Sequence, residues 1–253
     1  MRKYILLTIA ILLIPFAVYA WMGTIMVGGG TTTSGAPAPT YISEETFDSA
    51  GYDLSWTESA GTPNEDYTTS PAPLEGTQSL QLLGDTNSAT QVVYHNFTET
   101  ASATHWFYML FNASVVPTGG GSYSEFIRIR GGGGGTTVGS VFLLQNASGF
   151  TLRVIAAGGT EAVTTDVLSV DTTYHMWISF LKGSGANAKM TVAFSANGIR
   201  PTSGNAYAES TDGTQTIDAD NITIRGQYDS SNSSIDAIVD DVKIDDAAIG
   251  NSP

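Results

Sequence analysis

The densest acidic run in the chain reads SIDAIVDDVKIDD over residues 234–246. Its alternation of Ile and Val with polar residues predicts a strand, in which successive side chains point to opposite faces. On that pleat Ile238, Asp240, Val242 and Ile244 share one face, and Asp241 and Lys243 share the other. Val242 and Ile244 are core residue types, so Asp240 is expected to point inward with them. A buried carboxylate needs compensation. Backbone N–H groups, an Arg or a bound cation could supply it.

Other reactive residue types are few. The three histidines, His95, His105 and His175, have neither metal-site nor triad spacing. They read as hydrogen-bonded residues of apolar strands. There is no Cys, which excludes disulfides, thiolate metal sites and a Cys nucleophile. The GGGGGTT run, residues 131–137, has no Lys before its Thr and is not a phosphate loop. Arg128 and Arg130 alternate along one segment, so they share a face and could line a groove or stand in solvent. Tyr52, Trp56, Asn64, Asp66 and Tyr67 fall together in a region read as a long early loop. That mixture suits a sugar, whose ring stacks on an aromatic while amides, carboxylates and Arg128 bond its hydroxyls. The alternative for Trp56 is a buried loop anchor, because Trp is usually largely buried. Asn-x-Ser/Thr sequons start at Asn96, Asn112, Asn146, Asn221 and Asn232, and matter only in a glycosylating host.

The elements that must position these residues follow from composition and pattern. The 253 residues carry a formal charge of −14 and only ten Lys and Arg, which argues against nucleic acid as a partner. With 42% hydrophobic residues the chain can build a sizeable core without disulfide staples. Residues 1–20 read as an export signal peptide: Arg2 and Lys3, an apolar stretch from Ile5 to Ala17, then Val18-Tyr19-Ala20. The rival is an uncleaved membrane anchor running to about Val27. Either places the remainder outside the cytoplasm, secreted or at the cell surface, with membrane contact only through this segment if it is retained. Residues 21–41 form a Gly/Thr/Pro linker, residues 42–246 a folded domain and residues 247–253 a tail.

From Ile42 onward there is no sustained helical period. Runs rich in β-branched and aromatic residues predict strands at Ile42–Phe47, Ser79–Leu83, Gln91–Phe97, Thr104–Asn112, Glu125–Arg130 and Val138–Gln145. Others follow at Phe150–Ile155, Ala162–Leu168, Tyr174–Leu181, Ala188–Ser195, Ile222–Arg225 and Ile235–Ile244. The runs HWFYMLF, residues 105–111, and YHMWISFL, residues 174–181, are apolar on both faces and read as central strands. The expected fold is all-β, a two-sheet antiparallel β-sandwich behind an N-terminal apolar signal helix.

Several segments resemble the concanavalin A-like lectin/glucanase superfamily, in its laminin-G-like form, which implies that the sandwich is a jelly roll. Thr46-Phe47-Asp48, Gly51-Tyr52-Asp53 and Trp56 resemble its opening strand and first loop, and Glu75 to Leu82 resembles its second strand. Tyr174 to Ile178 with Lys182-Gly183 resembles the strand before its long hairpin, and Ile238 to Ile244 its closing strand. The resemblance implies adjacent first and last strands and a structural Ca²⁺ held by Asp48 and Asp240, with Asp241 in reserve. It also implies where catalysis would show. The paired acids of the glucanases, Glu-x-Asp-x-x-Glu, are absent. Of the family lyases' Arg, Gln-x-His and Tyr motifs, only the first has a counterpart, in Glu125 to Arg130. The expected function is therefore an exported non-catalytic binding module recognising a polysaccharide or glycoconjugate. A structural or adhesion domain of an appendage, envelope or virion, with protein partners, is the alternative. A glycoside hydrolase or polysaccharide lyase comes third.

Overall fold

The computed structural model describes residues 40–251, apart from 49–51, 53, 68–72, 86–88, 99, 101, 119–121 and 228–233. The expected signal helix, most of the linker and the Asn232 sequon lie outside the described residues.

Fifteen strands follow one another along the described chain. They are β1 (Ser43–Glu45), β2 (Trp56–Ala60), β3 (Asn64–Tyr67), β4 (Ser79–Asp85), β5 (Ala89–Asn96), β6 (Thr104–Val115), β7 (Tyr123–Gly131) and β8 (Thr136–Asn146). Then come β9 (Gly149–Ala156), β10 (Ala162–Val163), β11 (Tyr174–Leu181), β12 (Ala188–Ser195), β13 (Tyr207–Gly213), β14 (Ala219–Gly226) and β15 (Ile235–Asp245). All pairings are antiparallel. Sheet I has the order β3-β4-β15-β6-β11-β12-β13, with β1 also on β15; sheet II has the order β10-β9-β8-β7-β14-β5-β2. The short ladder between β4 and β5, Gly84 opposite Thr90, is where the chain passes from one sheet to the other. At that corner a side chain on Gly84 would strike the Gly226 backbone, which explains a glycine there.

One hydrophobic cluster fills the space between the sheets. Sheet I contributes Phe107, Met109, Phe111, Met176, Ile178, Phe180, Val192 and Val239, and sheet II contributes Val93, Ile127, Ile129, Val141, Leu152, Val154, Ile222 and Ile224. These positions follow the two-residue strand period, so the intervening residues of each strand face outward. The doubly apolar runs are central as expected: β6 and β11 lie side by side in sheet I. Their outward Tyr108, Leu110 and Trp177 are buried in a second, smaller cluster with Ile249. Trp177 Nε1 donates to the Gly250 carbonyl at 2.9 Å, which pins the C-terminal segment to this face.

Four strands depart most from expectation. β2 and β3 occupy the region read as one long early loop, and β13 lies in a segment given no strand. The expected strand Ala162–Leu168 shortens to Ala162–Val163. β2 and β3 are edge strands on different sheets. Charged residues on an edge strand suppress pairing with other chains, and they also hide the apolar alternation that reveals interior strands.

The closing strand needs a correction. Val239 pairs with Phe111 on the core face, so Asp240, opposite Leu110, faces outward from sheet I. A bulge between Asp240 and Lys243, with Asp241 at φ 47°, then returns Val242 and Ile244 to the core. The extra residue inverts the alternation, so Asp240 does not share a face with Val242 and Ile244.

Candidate functional site

The outward face of sheet II carries rows of polar and charged residues drawn from β5, β14, β7, β8 and β9. By register, Asn96 stands opposite Asn221, and Asn221 opposite Arg130. In the next row Tyr94 faces Thr223, Thr223 faces Arg128, and Arg128 faces Ser140. Farther along, Glu125 faces Phe142 and Phe142 faces Arg153. Arg225, the neighbour of core residue Ile224, joins this face through its ion pair with Glu125. Four of the six arginines of this acidic chain thus project from one side of one sheet.

Their charges are unequally compensated. Glu125 is buried and is the hub of a cluster. It pairs with Arg128 through two hydrogen bonds, pairs with Arg225, and accepts the Ser140 hydroxyl at 2.6 Å. Paired acceptors and a fork-shaped guanidinium suit one another, and burial strengthens the bonds. Arg130 has no carboxylate within ion-pair distance among the described residues. Its one hydrogen bond is a 3.4 Å contact to the Gly134 carbonyl, and its Nε is buried without a partner. Burial, reinforced by the Arg128 charge, lowers the Arg130 pKa, and burial alone lowers that of Arg128. A buried N–H donor without an acceptor is uncommon in native proteins and calls for an explanation.

Arg130 lines a recess of about 230 Å³ with Tyr94, Asn96, Asn221, Gly133 and Gly134. The recess is internally ordered. Thr223 Oγ1 donates to Asn221 Oδ1 at 3.0 Å, and Asn221 Nδ2 donates to Asn96 Oδ1 at 2.7 Å. This relay fixes the Asn96 amide with its oxygen occupied, leaving Nδ2 to donate. One wall is the turn between β7 and β8, where Gly132, Gly133 and Gly134 all have left-handed φ, 65°, 72° and 74°. Only glycine takes three such angles in succession without strain. The Gly133 and Gly134 N–H groups donate to the Asp220 carboxylate at 2.6 and 3.2 Å, which holds the turn in place. The arrangement can grip a carboxylate and present a phenol beside it.

The structure does not gather the expected sugar-binding set. Arg128 stands on the sheet II face, already paired with Glu125. Trp56 is 8% exposed within the core, packed against Phe47, Tyr52 and His95. That is the buried-anchor alternative, and the reason is the β2 strand, which turns its ring inward. Tyr52 packs on the same cluster and its hydroxyl reaches Glu58 at 3.4 Å. Asn64 is exposed on β3, across on sheet I, with Asp66 and Tyr67 on the same strand; the side chains of the last two lie outside the described residues.

Of the expected calcium ligands, Asp48 and Asp240 each accept a backbone N–H from the loop at residues 75–77. Asp48 accepts the Thr77 N–H at 2.6 Å. Asp240 is fully buried on the outer side of sheet I, accepting the Glu75 N–H at 3.0 Å, the Ser79 hydroxyl at 2.7 Å and the Asp241 N–H at 2.8 Å. Burial pushes its pKa up to about 7 despite these bonds. Asp241 is paired with Lys243 at 2.7 Å. Among the described residues no cluster of three or more His, Asp or Glu has metal-binding geometry. His95 and His105 are buried in the core; His175 stacks on Trp177 and bonds the Tyr108 hydroxyl at 2.7 Å on the far side of the molecule. Burial lowers all three imidazole pKa values.

Sequence reasoning missed Tyr94, Asn96, Asn221, Thr223 and Arg225. The signal was present in β7 and β14, which alternate apolar residues with polar ones; β5, ATQVVYHN, carries no such alternation. What hid it was that these strands, distant in sequence, are neighbours in the sheet.

No protein-family model matches the sequence, and no curated protein matches it. Solved structures do match. The cellulose induced protein Cip1 is 14% identical with a TM-score of 0.54, covering 83% of this chain and 99% of that one. A marine PL-14 alginate lyase from Aplysia kurodai is 6% identical with a TM-score of 0.53, covering 81% and 99%. An endo-β-1,4-glucuronan lyase from the fungus Trichoderma reesei is 10% identical with a TM-score of 0.51, covering 84% and 96%. Identities this low speak for architecture only. The described chain from β1 to β15 shares the antiparallel β-sandwich architecture of these structures.

Proposed function

We propose that the chain binds an acidic, uronate-bearing polysaccharide across the outward face of sheet II and cleaves it by β-elimination. The observation that carries this reading is Arg130: a partly buried guanidinium without a carboxylate partner, beside Tyr94 and two ordered amides. The fold shared with an alginate lyase and a glucuronan lyase supports it.

The chemistry fits the groups present. The C5–H of a uronate is acidified by its neighbouring carboxyl only when the carboxylate charge is neutralised. Arg130, with the Asn96 amide, supplies that neutralisation and stabilises the negative charge that develops as the proton leaves. Tyr94 is placed to take the C5 proton as the general base. The electron pair forms the C4–C5 double bond and O4 departs with its chain. Tyr94 returns the proton to O4, so the step consumes no water and needs no oxidant. Arg128 and Arg225, tied to Glu125, keep the face cationic without entering the reaction.

A specific observation favours the non-catalytic alternative: the three histidines all lie away from this face, leaving Tyr94 as the one candidate base lining the recess among the described residues. The experiment separates the two. Incubation with polyglucuronate and with alginate is expected to generate the ultraviolet absorbance of an unsaturated sugar end; a neutral glucan is not. Tyr94→Phe abolishes the absorbance and retains binding, and Arg130→Ala loses both. Binding without absorbance in the parent chain would return it to a glycan-binding module, and no binding to either polymer would refute the reading altogether. Export through the leader, and a calcium ion at Asp48 and Asp240, belong to the same proposal and suit a protein meeting polysaccharides outside the cell.

A further inference from the structure

Arg153, at the other end of the same face, presents a second unexplained donor on the outward side of sheet II. Its Nε is buried without a hydrogen-bond partner, as in Arg130. Its guanidinium lies 4.4 Å from the centroid of Tyr123 and 4.6 Å from that of Phe142, and the two rings meet edge to face at 5.5 Å. Its carboxylate contact is loose: Glu161 lies at 3.5 Å and its side chain is 56% exposed. Tyr123 is itself 45% exposed, among the most exposed large apolar side chains described. Packed between aromatics, the guanidinium is held in place but only weakly neutralised.

The register gives the distance to the recess. Arg130 is opposite Thr137 on β8 and Arg153 is opposite Phe142 on the same strand. From Thr137 to Phe142 along β8, and two strand spacings across, the Cα positions of the two arginines lie about 19 Å apart, taking a rise of about 3.3 Å and a spacing of about 4.8 Å. Between them lie Arg128 and Glu125, with Arg225 reaching in from β14 to the Glu125 carboxylate.

We propose that Arg153, Tyr123 and Phe142 form a distal subsite that holds a second uronate of the same polysaccharide chain, several sugar units from the recess. This rests on the reading of sheet II as an acidic-polysaccharide site and deepens it. Tyr123 offers the exposed edge of the aromatic pair to a sugar ring, and Arg153 takes the carboxylate of that sugar. Glu161 occupies the place of this carboxylate in the free protein and yields it on binding. The site then selects for length: an oligomer reaching both arginines gains two charge-assisted contacts, and a short one gains only one. It also selects for charge at a distance, because a polymer without uronates at that separation cannot fill both ends.

The test is calorimetric titration of the Tyr94→Phe protein, which does not turn over, with disaccharides and hexasaccharides of mannuronate and of glucuronate. The hexasaccharide is expected to bind more tightly than the disaccharide. Adding Arg153→Ala weakens the hexasaccharide about tenfold, the size of one charged contact, and leaves the disaccharide unchanged. Adding Glu161→Gln, at an exposed position that leaves the fold intact, tightens the hexasaccharide several-fold. Hexasaccharide affinity indifferent to both substitutions overturns the distal subsite while leaving the recess standing. Failure of the Tyr94→Phe protein to bind either length overturns both.

Discussion

Glu125→Gln is the sharpest single test of how the arginine face is built. The substitution keeps the shape and volume of the side chain, so it opens no cavity. It removes the negative charge facing Arg128 and Arg225, and it presents an NH₂ group where one guanidinium was bonded. The Glu125 side chain is 7% exposed, and those of Arg128 and Arg225 are 25% and 15% exposed, so water cannot readily replace the lost partner. Removing one member of a buried ion pair costs about 3–5 kcal/mol, mostly because the opposite charge is left uncompensated. For a domain of this size each kcal/mol lowers the melting temperature by about 2–4 °C, which gives a fall of about 6–20 °C. Calorimetric melts at moderate salt measure it, with Glu161→Gln as a surface control that should move the melt by a degree or so at most. An anionic polymer should raise the melting temperature of Glu125→Gln more than that of the parent, because two guanidiniums have lost their internal counter-charge. A destabilisation below about 1 kcal/mol would refute the reasoning, since it would mean the arginines are solvated enough to need no carboxylate.

Two further outcomes are expected. Trp56→Ala should destabilise the domain by about 3–5 kcal/mol in denaturant melts through loss of a core aromatic, with polyuronate affinity unchanged; lost binding in a fully stable variant would restore Trp56 as a sugar platform. In metal-free buffer, Asp240 binds its proton more tightly in the folded protein, with a pKa of about 7 against 3.8, so its stabilising contribution is complete below about pH 4 and is lost as the pH rises to about 7. Asp240→Asn should flatten that part of the stability profile, and calcium bound at Asp48 and Asp240 should raise the melting temperature at neutral pH; no rise at millimolar calcium would remove the ion from the proposal.

The interior strands were legible because burial leaves a mark on residue type. Tyr174–Leu181 and Ala188–Ser195 were read to the residue. The edge strands were not: TESA within β2, NEDY in β3 and ESTDG within β13 carry little apolar signal, and their pairing is set by neighbours rather than by their own composition. The position of Asp240 failed for a different reason. A pleat argument assumes an unbroken ladder, and the bulge at Asp241 is a backbone event that an Asp can adopt but does not announce. The site was half visible. Arg128 and Arg130 were placed on one face by their spacing alone, but their companions come from β5 and β14, about thirty-five and ninety positions away along the chain, and alternation within a strand says nothing about which strands will be neighbours. Tyr94 and Asn96 were read as ordinary members of an apolar strand, because their importance comes from Arg130 and Asn221 beside them.

The glycine turn beside the recess has a consequence for how this site can change over evolutionary time. A wall made of main chain offers no side chain to exchange, and its left-handed angles resist acquiring one: any residue placed at Gly133 or Gly134 brings strain before it brings a contact. Substitutions that retune what the recess accepts are therefore channelled to the opposite wall, to positions 94, 96 and 221, where ordinary strand geometry tolerates any side chain. The turn is the fixed jaw of the site, and the two strands facing it are the adjustable one.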